Sequence, residues 1–322
     1  MHNIGITGTG SLIGQALIKC ILNSEYSKEY KLIGFDYFPE TVGSFWCNEN
    51  YILPDLLKKG MEDIWIEQLI KIIEDEKIEV LFVGVDFELP ILAKNKQRIE
   101  SVTGCQLVIS SEKVIEIGND KYSTYQFLKD NDLSYPKTYL PENCDYSKLI
   151  YPVIVKPRVG ARSIGVSLVN SLSEMEQALH LAKRPIIQEC VGDNSTEYTC
   201  GVIAMGGGVK ATMALKRTLK GGNTYLSEYK SDFPTVITDY LTAITEKLQP
   251  HGSCNYQLRM DKNGVPKMFE INPRHSGTTY MRSLFGYNEV IYILKYLLEG
   301  SEIVFDLKEG KAIRHYEEVL VK

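Results

Sequence analysis

The segment Val80-Leu81-Phe82-Val83-Gly84-Val85 constrains this chain more than any other feature. It offers no polar side chain on either face. As a strand it must be covered on both sides, which is the condition of a parallel strand inside an α/β sheet. Its surroundings keep the same rhythm. Asn3–Thr7, Lys31–Phe35 and Gln106–Ile109 are short β-prone runs, while Ser11–Leu22 and Ile64–Ile73 space their apolar residues as amphipathic helices do. This alternation predicts an N-terminal doubly wound parallel sheet, with any ligand at the carboxyl ends of its strands.

From about Ser111 the pattern changes. Lys121–Lys129 reads as a helix. Val153–Lys156, Gly165–Val169, Ile186–Cys190, Glu197–Ala204 and Val209–Leu215 are extended runs joined by short polar turns, which suggests antiparallel pairing. A helix at Thr235–Leu248 precedes a hairpin of Asn255–Met260 and Lys267–Ile271 across the turn Asp261–Pro266, and Glu289–Leu298 reads as a closing helix. At 322 residues the chain exceeds one ordinary core. The changes of texture divide it into 1–110, a βαβ domain; 111–190, a small lobe; and 191–322, a larger lobe that ends the chain.

Charge and cysteines narrow the setting. Lys and Arg number 36 against 41 Asp and Glu, a net charge of −5, which argues against a nucleic-acid surface. The seven cysteines include no CxxC pair and read as reduced thiols. No apolar run approaches the roughly 18 residues of a membrane span, and the amino terminus lacks a signal-like core. A cytoplasmic protein without membrane or nucleic-acid partners is expected.

The turn Gly8-Thr9-Gly10-Ser11-Leu12-Ile13-Gly14, with Asp36 ending the next strand, invites comparison with a dinucleotide fingerprint. Its third glycine falls one position late, so a tight βα turn facing a substrate cleft is the better reading.

The segment Met268-Phe269-Glu270-Ile271-Asn272-Pro273-Arg274 carries the clearest chemistry. On a strand, Glu270 and Asn272 project from one face and Phe269 and Ile271 from the other, buried one. A carboxylate beside an amide oxygen is a hard-oxygen pair suited to Mg²⁺ with nucleotide phosphates, and Gln257 on the preceding strand adds a third oxygen. Arg274 then stands where it can meet a phosphoryl group or a carboxylate. A solvated polar strand end is the plain alternative. Pro152–Pro157 is an apolar strand delivering Lys156 to its end, and the loop from Arg158 to Gly165 that follows can fold over phosphates. Pro185–Gly192 ends a strand in Glu189, where a hinge backbone could match the adenine edge, and Glu197 follows at the next strand. His275 and Ser276 are adjacent and lack a third partner, which is unlike a catalytic pair.

Together, in this order, the blocks KYSTYQFL, VIVKP with GARSIGV, IIQECVGDNSTEYTCGV, CNYQLRM and MFEINPRHSG resemble the ATP-grasp superfamily, most closely the carbamoyl-phosphate synthetase large-chain type. The resemblance runs from about Ser111 to Tyr287. It implies a pre-ATP-grasp sheet followed by a two-lobed ATP-grasp fold. It implies that Lys121 and Lys156, with Arg162, Ser163 and Gly165 of the loop, contact the ATP phosphates. Glu189 and Val191 would form the adenine hinge, Val191 through its backbone, and Glu197 would hold the ribose. Gln257, Glu270 and Asn272 would hold one or two Mg²⁺ ions, with Mn²⁺ as a substitute. Arg274, Lys156, Lys216 and Arg217 would neutralise the transferring group. A carboxylate substrate is placed between Glu88 and the Arg274–Arg282 loop, with Glu88 on an amine and Arg282 on a carboxylate.

The sequence departs from that pattern in having one ATP-grasp unit where the synthetase has two, no glutaminase, and Gln257 at the middle metal position. The implied activity is an ATP- and Mg²⁺-dependent carboxylate–amine ligase acting on small molecules through an acyl phosphate, plausibly as a homodimer. A kinase of the same fold that stops at phosphoryl transfer is the alternative, since the two share every nucleotide-site residue. A non-catalytic nucleotide-binding protein is a third reading, set against the presence together of Lys156, Glu270, Asn272 and Arg274.

Overall fold

The computed structural model describes residues 1–160 and 163–320. Its first unit is a five-stranded parallel sheet of order β3-β2-β1-β4-β5. The elements run β1 (His2–Thr7), α1 (Leu12–Leu22), β2 (Tyr30–Asp36), α2 (Val42–Trp46), β3 (Glu49–Ile52), α3 (Glu62–Asp75), β4 (Val80–Phe82), α4 (Leu89–Thr103) and β5 (Gln106–Val108). Strand β4 is shorter than the apolar run that predicts it, because Val83–Val85 continue as a loop toward the carboxyl edge. One face of the sheet packs on Trp65, Leu69 and Ile73 of α3 and Leu92 and Ile99 of α4. The other packs on α1, and Ile4, Ile6 and Leu17 share a single core with C-terminal residues such as Val290 and Leu294. The N-terminal sheet is thus packed against the end of the chain rather than tethered to it.

The second unit holds α5 (Glu112–Asn119), α6 (Lys121–Asp130), β6 (Thr138–Tyr139), β7 (Val153–Pro157), β8 (Ser167–Val169), α7 (Leu172–Leu181) and β9 (Pro185–Glu189). Its four strands form an antiparallel sheet of order β6-β9-β7-β8. This sheet has its own small core, in which Val153, Val155 and Ile187 meet Met175 and Ala178 of α7.

The third unit contains β10 (Glu197–Met205), β11 (Gly208–Lys220), β12 (Asn223–Tyr229), α8 (Thr235–Leu248), β13 (Gly252–Met260), β14 (Pro266–Asn272), α9 (Thr279–Leu284), α10 (Glu289–Glu299) and β15 (Gly310–Ile313). Its strands form a six-stranded antiparallel sheet of order β14-β13-β10-β11-β12-β15. Ile237, Leu241 and Ile244 of α8 cover one face of this sheet.

Local chemistry explains the element ends. Ser11 caps α1 by accepting from Gly14 N–H at 2.9 Å, and Asp120 caps α6 by accepting from Tyr122 N–H at 2.8 Å. Gly14 is required by packing, since a β-carbon there would lie 2.2 Å from the Gly8 carbonyl oxygen.

Candidate active site

A cleft opens between the four-stranded sheet and the β14-β13-β10-β11 edge of the six-stranded one. Every wall brings a charged side chain: Lys121 at the start of α6, Lys156 on β7, Glu189 on β9, Glu197 on β10, Arg217 on β11, Arg259 on β13 and Glu270 on β14. Val191, Gln257 and Ser163 line it too, so most residues singled out from the sequence for a nucleotide converge here. Basic groups outnumber acids within this cleft although the whole chain is acidic. Such a local excess of cations attracts a polyanion.

Lys156 is buried with little to balance its charge. It is 5% exposed, and its Nζ donates only to the Phe269 carbonyl, at 3.5 Å, while standing 5.3 Å from the Phe269 ring centroid. Burial first, and the like charge of Lys121 second, push its ammonium down to about 7. Lys121 donates to the Gly160 carbonyl at 2.9 Å, tying the start of α6 to the loop after β7.

Glu197 is held on both sides, 2.6 Å from Arg217 and 2.7 Å from Arg259. Arg217 also donates to Gln257 Oε1 at 2.8 Å. Glu189 accepts from Lys267 Nζ at 2.7 Å and from Lys137 N–H at 2.9 Å, which pins the strand end at the hinge. Glu270, by contrast, has no hydrogen-bond or ion-pair partner among the described residues, although it lines the cleft.

The pairing of β13 with β14 explains this face. Gln257 stands opposite Glu270 and Asn255 opposite Asn272, but the register slips between Gln257 and Leu258, leaving Phe269 unpaired in a β-bulge. Strict alternation predicts Phe269 on the buried face with Ile271. The bulge overturns that: Ile271 and Met268 are buried in the core, while Phe269 turns its ring into the cleft beside Glu270.

Other expectations fare differently. Arg274 lies outside the cleft wall, bound to Asp86 at 2.6 Å and donating to Asn272 Oδ1 at 3.0 Å. Lys216 and Arg217 are consecutive on a strand and must face opposite ways; Arg217 and Leu219 line the cleft and Lys216 does not. Gly165 adopts φ +72° against Pro157 rather than lining the cleft. Arg162 lies outside the described residues.

Two substrate-side expectations meet a physical obstacle. Arg282 is 0% exposed and paired with Glu289 at 2.8 Å, with further bonds to Asn255 Oδ1 at 3.1 Å and Thr278 Oγ1 at 2.8 Å. Its donors are spent inside the fold, so it is a structural cation and not a ligand for a substrate carboxylate. Glu88 is likewise fully buried; Thr7 donates to one oxygen and Tyr37 to the other at 2.7 Å, and burial pushes its carboxyl up to about 7. At the nearby turn, Asp36 accepts from Gly10 N–H at 2.6 Å and Thr9 Oγ1 at 3.0 Å, which closes the glycine-rich loop on itself. Sequence reasoning missed Arg259 and Phe269 as cleft walls. Arg259 is two residues beyond Gln257 on the same strand, so alternation could have found it; nothing local announces the bulge.

The residues named for Mg²⁺ are one carboxylate and two amides. No group of three or more His, Cys, Asp or Glu side chains that could hold a metal occurs among the described residues. The oxygen-only chemistry and the unpartnered Glu270 fit a hard cation that draws its other ligands from phosphates, provided that Gln257 releases Arg217 and Asn272 releases Arg274. All seven cysteines are thiols. No helix among the described residues is long and apolar enough to cross a membrane.

Known proteins resemble this chain in sequence and in fold. Residues 190–319 match a family model described as "ATP-grasp in the biosynthetic pathway with Ter operon". The carbamoyl phosphate synthase large chain of Helicobacter pylori is 23% identical over 270 residues, covering 77% of this chain and 24% of that protein. The D-alanine–D-alanine ligase of Polynucleobacter asymbioticus is 29% identical over 187 residues, covering 50% of this chain and 54% of that one. This chain therefore spans about a quarter and about half of the lengths of these homologues. Among solved structures, an L-amino acid ligase from Bacillus licheniformis superposes with a TM-score of 0.74 at 18% identity, covering 96% of this chain and 78% of the other, which is a likeness of fold.

Proposed function

From its ATP-grasp domain and its homology to ATP-grasp ligases, we propose that this chain is an ATP- and Mg²⁺-dependent carboxylate–amine ligase acting on small molecules in the cytosol. The observation that carries the reading is the convergence, in one cleft between two sheets, of Lys121 and the desolvated Lys156 with an unpartnered Glu270 carboxylate. A triphosphate would supply the countercharge that Lys156 lacks, and its metal would supply the partner that Glu270 lacks.

The chain's residues then divide the work. Lys121 and Lys156 hold the phosphates, and Ser163 in the following loop lies where it can contact them. The strand end at Glu189 and Val191 receives the adenine between the two sheets. Glu197, fixed by Arg217 and Arg259, is aligned for the ribose hydroxyls. Glu270, with Gln257 and Asn272, would hold Mg²⁺, which would supply charge neutralisation at the phosphates. Arg217, released from Gln257, and Arg274, released from Asn272 and Asp86, would be available to the transferring phosphoryl group. A substrate carboxylate oxygen attacks the γ-phosphorus and ADP departs. An amine then attacks the acyl carbon, loses a proton and expels phosphate. The protein's contribution is alignment and charge neutralisation in a site closed to water. We further assign 1–110 to substrate, 111–190 to the lid and 191–322 to the metal and phosphoryl group.

An ADP-release screen of carboxylic acids against amino acids, with mass spectrometry of the products, tests the proposal. A new amide formed with stoichiometric ADP and phosphate supports it. A stable phosphorylated product seen by ³¹P NMR would replace it with the kinase reading.

A further inference from the structure

Arg314 follows β15 directly, and its N–H donates to the Tyr225 carbonyl at 2.8 Å, which extends the pairing with β12 and fixes the backbone. The side chain turns inward. Its Nη2 donates to the Gly277 carbonyl and stands 3.8 Å from Met281 Sδ. Gly277 belongs to the loop that leaves β14 after Asn272 and Arg274. On the other side of Gly277 is Leu12, the first residue of α1. A β-carbon at Gly277 would stand 3.6 Å from Leu12 Cβ and 3.8 Å from both terminal nitrogens of Arg314, which is ordinary contact and marks how near these groups lie to Gly277.

No carboxylate lies within ion-pair distance of Arg314 among the described residues. The contrast with two other arginines decides the matter. Arg158 is paired with Asp120 at 2.6 Å and Arg282 with Glu289 at 2.8 Å, and both guanidiniums are held above their ordinary value. Arg314 is held below it, because burial meets no offsetting acid. Arg314 is part-buried, and its guanidinium keeps donors that no acid among the described residues takes up, which leaves it able to receive an anion.

We propose that Arg314, which lies across Gly277 from the start of α1, anchors a small-molecule carboxylate, the α-carboxylate of an amino-acid substrate. A planar guanidinium with most of its donors unspent matches a planar carboxylate in bidentate fashion. The inference rests on the ligase reading and adds to it the class of one substrate and the residue that recognises it.

The test uses the full chain. AMP-PNP with Mg²⁺ is titrated first by calorimetry. The L-amino acids, their C-terminal amides and inorganic phosphate are then titrated with and without that nucleotide. We expect at least one amino acid to bind about tenfold or more tightly than its amide, the scale of one lost charged contact. In Arg314→Gln the two should bind alike, Arg314→Lys should restore part of the difference, and nucleotide affinity should stay unchanged in both. The proposal is overturned if no amino acid binds, if acid and amide bind equally to the unmodified protein, or if Arg314→Gln keeps the preference. It is equally overturned if phosphate shows the same dependence on Arg314, or if the variant loses nucleotide binding and thermal stability together, which would make the residue structural. Absence of AMP-PNP binding to the unmodified protein counts against the ligase reading alone.

Discussion

Arg282 and Lys156 are two buried cations in neighbouring lobes, and their surroundings are opposites. Arg282 is enclosed by Glu289, Asn255, Thr278 and Thr279, so that charge and donors are matched inside the fold. Lys156 has one long bond to a carbonyl and a like-charged neighbour. Sequence motifs single out both for function, but only the unmatched one has capacity left for a ligand. The completeness of a polar group's partners separates a structural site from a working one better than its motif does.

The largest effect should come from breaking the matched cation. Arg282→Ala leaves Glu289 buried without its cation, with only Thr279 donating to it, and should cost about 3–5 kcal/mol of stability. Chemical denaturation measures this, and an Arg282→Ala, Glu289→Ala double variant should recover part of the loss. Next, Glu270→Ala should slow ADP formation by about 100- to 1000-fold with little change in melting temperature, since no protein partner is lost. A variant that unfolds instead would place Glu270 with Arg282.

The third prediction sharpens the contrast through pH. Lys156 is held at about 7 in the folded chain, below its ordinary value of 10.5. Between those values the unfolded chain binds the extra proton, so its contribution to stability is lowest below about 7 and rises with pH above it. A bound triphosphate favours the ammonium, so nucleotide affinity should fall above about pH 7, by up to about tenfold per pH unit. Proton uptake on binding, measured in buffers of different ionisation enthalpy, should vanish in Lys156→Met.

How much was legible follows from which interactions are local. The parallel sheet could be read because Val80–Phe82 and Ile4–Ile6 are apolar on both faces. Helix α4 could not, since only Leu89, Leu92 and Ile99 of its residues are buried. The edge strand β3 has no fully buried residue and gave no signal. At the cleft, the positions of Lys156, Glu197 and Glu270 follow from contiguous motifs. Their partners do not: Arg217 meets Glu197 and Gln257 across 20 and 40 residues of chain. Nor could the sequence show that Arg282 would be claimed by Glu289, because that depends on how α9 and α10 fold back on the sheet.

The bulge at Phe269 has a consequence for how this strand can change. Met268 and Ile271 face the core while Lys267, Glu270 and Asn272 face away, so the one supernumerary residue sits between two stretches that already agree. Removing it would leave an unbroken in-and-out sequence with every remaining side chain on its present side. Deletion of Phe269 should therefore leave the melting temperature within a few degrees of the parent, the smallest effect foreseen here, while taking away the ring and carbonyl beneath Lys156. The strand carries that residue as a detachable part, serving the cleft and not the sheet.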